Sequence, residues 1–134
     1  MASIFSRIIA REIPCYKVGE TEDCFAFLDI SPLALGHVLV VPKKEVDYLF
    51  DMDDSLYLNL MSFSKLVAAA QRKVIPCQRI GVCVIGLEVP HAHVHLIPMN
   101  SVNDMNFARP KLQLPAEVMA ETAAKISAAL SGQA

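Results

Sequence analysis

The nonapeptide HAHVHLIPM, residues 91–99, decides how the rest of the chain is read. Three of the protein's four histidines fall within five residues there, as His91, His93 and His95, and the residues between and after them, Ala92, Val94 and Leu96, are apolar. Taken as a strand over 92–97, the two-residue period puts all three imidazoles on one face and the apolar side chains on the other. A row of imidazoles backed by an apolar face is a way to present groups that act as nucleophile, acid or base near neutral pH. The pattern alone leaves two other readings open: a solvent-facing strand, and a metal site built on two imidazoles. Reach limits the second, because His91 and His95 are separated by roughly 13 Å along an extended chain.

Working outward, Pro90 separates the triad from RIGVCVI at 79–85, an apolar run that reads as another strand. GHVLVV at 36–41 is β-branched and apolar, the pattern of a strand covered on both faces, closed by Pro42. Residues 13–18 and 24–29 read as two strands joined by the polar turn 19–23. Helical spacing of Leu56, Leu60, Phe63, Val67 and Ala70 predicts one long helix over 53–73, with acids ahead of it and Arg72-Lys73 at its end, as the macrodipole favours. Short terminal helices are predicted at 3–10, behind a Ser3 cap, and at 116–130, the latter Ala-rich and peripheral; the stretch between Met99 and Lys111 is irregular and polar. The sum is one α+β domain over 1–134, built on an antiparallel sheet of about five strands.

With 134 residues, 54% of them hydrophobic and only 19% charged, the chain is large enough for a core without staples and too apolar for disorder. Twelve Lys and Arg against fourteen Asp and Glu leave a net charge of −2, which disfavours a nucleic-acid polymer as ligand while leaving a single nucleotide open. No stretch approaches a membrane span, and Cys15, Cys24, Cys77 and Cys83 outline neither a zinc site nor a disulfide framework. A cytoplasmic protein with reduced thiols is the expectation.

HAHVHLI resembles the His-φ-His-φ-His-φ-φ signature of the histidine triad (HIT) superfamily, in its bacterial-like form, and CFAFLDISPLALGHVLVVPKK at 24–44 and IFSRII at 4–9 resemble two further blocks of it. The resemblance implies a HIT-like fold and attack on the α-phosphate of nucleotide derivatives without a cofactor. By position, His93 matches the nucleophile that forms a covalent nucleotidyl-histidine, His95 a phosphate contact, and His91 with His37 the histidines that support protonation of the leaving group. Asp29 matches the carboxylate that binds the ribose hydroxyls, and Ile4, Phe5, Ile8, Phe27 and Ile30 the apolar slot for the base. The implied partners are a purine nucleotide or nucleotide conjugate and a second copy of the chain, paired edge to edge as a homodimer.

The chain departs from the family pattern in three places. Ser3, Ser6 and Glu45 stand where many bacterial relatives carry zinc ligands, so no metal is expected. The glycine-rich phosphate loop before the triad is replaced by RIGVCVIGLEVPH, in which Gly86 survives and Glu88 stands where a polar phosphate contact is expected. Lys43, Lys44 and Arg109 are the cations that would compensate. The region after about Asn100 matches loosely, which leaves the leaving group open. The resulting expectation is a nucleotidyl hydrolase or transferase acting on nucleoside phosphoramidates, dinucleotides or related conjugates; the alternatives are a non-catalytic nucleotide-binding module with a degenerate loop, and a metal-dependent hydrolase using two of the histidines.

Overall fold

The computed structural model describes residues 2–132. A short helix α1 (Ile4–Ile9) leads into strands β1 (Lys17–Glu20), β2 (Cys24–Leu28) and β3 (Val38–Pro42). Helix α2 (Asp54–Val74) follows, then β4 (Arg79–Cys83), β5 (Val94–Met99) and helix α3 (Ala116–Ser131). The five strands form one antiparallel sheet in the order β1-β2-β3-β5-β4.

The two faces of this sheet are covered differently. Alternate side chains Ala26, Leu28, Val38, Val40, Val94 and Leu96 pack under Leu60, Phe63, Val67 and Ala70 of α2 and under Met119, Ala123 and Ile126 of α3. On the other face Phe25, Phe27, Leu39 and Val41 meet only Phe5 and Ile8 of α1 and a few partly buried neighbours. His95 lies opposite Leu39 in the β3–β5 ladder, which assigns it to this thinly covered face.

Caps and glycines set the element ends. The Ser3 and Asp53 side chains accept hydrogen bonds from the Ser6 and Leu56 N–H groups, capping α1 and α2 as their positions predict. At Gly36 φ is +86°, and a Cβ there would lie 2.9 Å from Ile75 Cγ1, so only glycine makes this turn without strain. Its carbonyl and that of Leu96 both accept from Gln71 Nε2 at 2.9 Å, which ties the turn to β5 and sets the position of the next residue, His37.

Three element expectations need correcting. The first strand begins at Lys17 rather than at 13, because Pro14 has no N–H to donate, and it runs on through Gly19 and Glu20 so that the turn shrinks to three residues. The last strand begins at Val94, so of the triad only His95 stands in the ladder; His91 and His93 precede it, with the Ala92 N–H bonded to the Val46 carbonyl at 2.7 Å instead. The terminal helix α3 is neither short nor peripheral: its Met119, Ala123 and Ile126 complete the main core. Alanine-rich composition hid this, since small residues let α3 approach α2 and the sheet closely while leaving little hydrophobic signature.

Candidate active site

Although His91 and His93 lie outside the strand, the apolar alternation holds, with Ala92, Val94 and Leu96 in the core and the imidazoles turned away from it. The rings form a row on the thinly covered face. Phe5 stacks edge-on to His93 at 4.8 Å between centroids, His93 to His95 at 4.9 Å, and His95 to Phe107 at 4.8 Å.

His93, His37 and His91 each have a backbone partner that can act in only one sense, and His95 takes its assignment from His37. The carbonyl of His91 can only accept, so His93 Nδ1, 2.9 Å away, carries a hydrogen, and in the neutral ring the lone pair then belongs to Nε2. The Leu33 N–H can only donate, at 3.1 Å, so His37 Nδ1 accepts and His37 Nε2 donates to His95 Nδ1 at 3.0 Å. His95 Nε2 therefore bears a hydrogen. The Pro42 carbonyl accepts from His91 Nε2 at 2.8 Å, which leaves His91 Nδ1 to accept from Ser3 Oγ at 2.6 Å. The result sets His93 Nε2, opposite the ring nitrogen that donates to the backbone, beside a donor N–H on His95, an arrangement anchored by backbone groups that cannot reverse.

Burial supports this protonation. It pushes His37 down to about 3 and His95 to about 4, with the neighbouring imidazoles adding to the effect. Burial also lowers His91, opposed by its bond to Pro42 and by Glu45. Asp29 Oδ2 lies 3.7 Å from His37 Nε2, and burial raises its carboxyl above the ordinary range against the hydrogen bond that Ser31 N–H gives Oδ1.

Beside the row lies a cavity of about 220 Å³ lined by His93, His95, Phe107 and the segment 85–88. Gly86 and Glu88 both border it, Gly86 in the left-handed region at φ +74° with open space where a Cβ would point. Of the apolar set, Phe5, Ile8 and Phe27 are packed together and Phe5 touches the triad, whereas Ile4 and Ile30 stay exposed at 47% and 73%. Asp29, Ile30 and Phe27 follow one another at the end of β2, beside His37.

The cations expected to compensate for the altered loop are engaged elsewhere. Lys43 pairs with Glu20 at 2.7 Å, Arg109 with Asp104 at 3.2 Å, and Lys44 borders a separate depression near Asp23 and Asp53. Lys111 is the cation that interacts with Asp29 and His37, and its ammonium lies 5.7 Å from the Phe107 ring. Sequence reading missed both Phe107 and Lys111. The available signal was that Phe107 is the sole aromatic residue in an otherwise polar stretch from Met99 to Lys111.

Ser3, Ser6 and Glu45 converge as a group on His91. Ser3 N–H and Ser6 Oγ donate to Glu45 Oε1 at 2.6 and 2.8 Å, and Glu45 is held below its usual range by these bonds, chiefly that from Ser3 N–H. A hydroxyl-carboxylate set of this kind is a poor match for zinc, which favours thiolate and imidazole. Among the described residues, the donor set closest to a metal site is Asp29, His37 and His95, whose ligand atoms lie within 4.8 Å of one another. There the His37 and His95 nitrogens already satisfy each other through a hydrogen, so an ion would have to displace it.

A family model described as the HIT domain matches residues 10–102. An uncharacterised HIT-like protein of Borreliella burgdorferi is 36% identical over 132 residues, covering 92% of this chain and 95% of that protein. An adenosine 5′-monophosphoramidase of Saccharomyces cerevisiae is 40% identical over 99 residues, covering 72% of this chain and 62% of that one. Among solved structures, a HIT-like protein from Bartonella henselae superposes with a TM-score of 0.82 at 33% identity, over 95% of each chain.

Proposed function

Because this chain belongs to the HIT family, we propose that it hydrolyses nucleoside 5′-phosphoramidates through a covalent nucleotidyl-histidine on His93. The observation that carries this reading is the 2.9 Å bond from His93 Nδ1 to the His91 carbonyl, which commits Nδ1 to the backbone and leaves Nε2 as the nitrogen that can act on a group in the cavity His93 lines. The similarity to a yeast adenosine 5′-monophosphoramidase supports the choice of bond.

In the first step the Nε2 lone pair attacks the α-phosphorus, the P–N bond breaks, and the leaving nitrogen departs as an amine after taking a proton from solvent. In the second, water attacks phosphorus, the P–Nε2 bond breaks, and one proton returns to solvent; the net change consumes one water and yields a nucleoside monophosphate and an amine, which takes the monophosphate's remaining acidic proton to become ammonium. His95 Nε2–H faces the transferred group as a fixed neutral donor, and the His37 hydrogen bond keeps it from turning. Asp29 accepts from the ribose hydroxyls, and Phe5, Ile8 and Phe27, with the exposed Ile4 and Ile30, take the base. A second copy of the chain pairs along the free edge of β4, where Val82 is half exposed, and light scattering at micromolar concentration reads it.

The test is release of AMP from adenosine 5′-phosphoramidate by wild type and His93→Ala. Wild-type turnover with a loss of at least about a thousandfold in the variant, while calorimetric nucleotide binding persists, is the expected result. A second reading, a nucleotide-binding module without turnover, is favoured by the lack of a Lys or Arg lining the triad cavity among the described residues. Nucleotide binding by wild type with no AMP formed would establish it instead.

A further inference from the structure

The triad cavity does not end at the loop that borders it. Ile85 and Gly86 form a wall shared with a second, larger cavity of about 440 Å³ that reaches Asp47, Tyr48 and Phe50. Together the two make a trough that leads away from His93 between the segment 47–50 and the segment 84–88. Its character is distinct from that of a phosphate site. Tyr48, Phe50 and Phe107 contribute aromatic faces, Ile85 and Leu87 aliphatic surface, and the two charged residues that line it, Asp47 and Glu88, are both acidic. Among the described residues no Lys or Arg lines either cavity. The nearest cation, Lys111, lines neither cavity: its ammonium lies 5.7 Å from the Phe107 ring, donates to the Phe107 and Arg109 carbonyls, and interacts with Asp29 and His37.

We infer that this trough takes the leaving group, and that Glu88, with Asp47 beyond it, selects an amine that carries a second positive charge on an apolar chain. The inference rests on the phosphoramidase reading above and narrows its substrate class. The reasoning is electrostatic and steric at once. A polyphosphate leaving group would bring negative charge against Glu88 with no cation to offset it, whereas an ammonium gains from both carboxylates and from the faces of Tyr48 and Phe50. An alkyl spacer has apolar walls to lie against, and Gly86, which borders both cavities, adds no side chain to the wall between them.

The experiment compares adenosine 5′-phosphoramidates of butylamine, 1,4-diaminobutane and 4-aminobutanoate, which match in length and differ in charge, together with diadenosine triphosphate. Each kcat/KM is divided by the same protein's value for unsubstituted adenosine 5′-phosphoramidate, and wild type is set beside Glu88→Gln and Glu88→Lys. Wild type is expected to prefer the diaminobutane conjugate over the butylamine one by about fivefold and to disfavour the aminobutanoate conjugate by a similar factor. Glu88→Gln narrows this spread, Glu88→Lys reverses its order, and raising the salt concentration shrinks the wild-type preference. Hydrolysis of the parent phosphoramidate with the same charge order in all three proteins overturns the assignment of Glu88 and leaves the phosphoramidase reading standing. Failure of wild type to cleave the parent compound overturns that reading, and this inference with it.

Discussion

The two flanks of the histidine row are built in opposite ways. On the α1 side, the His91 nitrogens, the Ser3 and Ser6 hydroxyls, the Glu45 carboxylate and the Pro42 carbonyl form a closed set of hydrogen bonds, and the His37–His95 pair, toward the Phe107 end of the row, forms another. On the other side, residues 84–90 lie outside any strand or helix, a Cβ at Gly86 would point into open space, and Leu87 is 88% exposed. The nucleophile thus has one side where every proton is assigned by a partner and one side left open to whatever departs. The difference teaches that positioning and selection are carried by separate parts of the chain, so changes on the two flanks should register in different measurements.

Acid attacks the hydrogen-bonded rings hardest, through the His37–His95 pair. His37 and His95 sit at about 3 and about 4 when folded, against 6.5 when exposed, so between these limits the unfolded chain binds more protons than the folded one. Stability therefore falls as pH drops below about 6.5 and keeps falling until the folded values are reached, by an amount on the order of a few kcal/mol. Above that window the two histidines are neutral in both states and contribute no pH dependence. The raised carboxyl of Asp29 acts in the opposite sense and offsets part of the loss. Urea midpoints measured from pH 7 to pH 4 check the slope; a flat profile would mean that the two rings are not held neutral.

Next in size is Ser3→Ala. It removes the side-chain cap of α1 and the close donor to the fully buried His91 Nδ1, leaving only Ser6 Oγ at 3.4 Å, a combined cost of about 2 kcal/mol. Because His91 also supplies the carbonyl that orients His93, kcat should fall more than KM rises. Ser3→Thr keeps the hydroxyl and should recover most of both losses. Denaturant unfolding together with steady-state kinetics separates the two effects, and equal loss in the alanine and threonine variants would remove the hydrogen bond as the cause.

Much of this contrast was legible in the sequence, and the rest was not for identifiable reasons. The spacing of His91, His93 and His95 against Ala92, Val94 and Leu96 announced a row of imidazoles on one face, because alternation survives even where the ladder has not yet begun. The Ser3 cap, the acidic residues at the start of α2 and the length of that helix were likewise written in local side chains. The convergence of Glu45 on Ser3 was invisible to spacing, since it joins residues 42 apart through the fold. Lys43, Lys44 and Arg109 looked as available as Lys111, because charge alone does not reveal which cations already have partners. Phe107 was hidden by an irregular segment whose path is set by contacts such as Leu112 N–H to the Pro32 carbonyl rather than by any periodicity.

The smallest effect belongs to the open flank. Leu87 is almost fully exposed and its side chain lines the triad cavity without joining either core cluster. Leu87→Ala should change stability by no more than about 0.5 kcal/mol, since little apolar surface leaves or enters water on folding at that position. Its effect should appear instead in substrate choice. Removing the isobutyl group strips apolar surface from one wall of the trough, so kcat/KM for the butylamine conjugate should fall by a few-fold while that for the unsubstituted phosphoramidate, which has no chain to cover, changes less. Thermal unfolding of the variant beside these two rates decides the matter. A drop in stability comparable to that of Ser3→Ala would show that residues 84–90 are packed as firmly as the α1 side, and the division between a positioning flank and a selecting flank would fail.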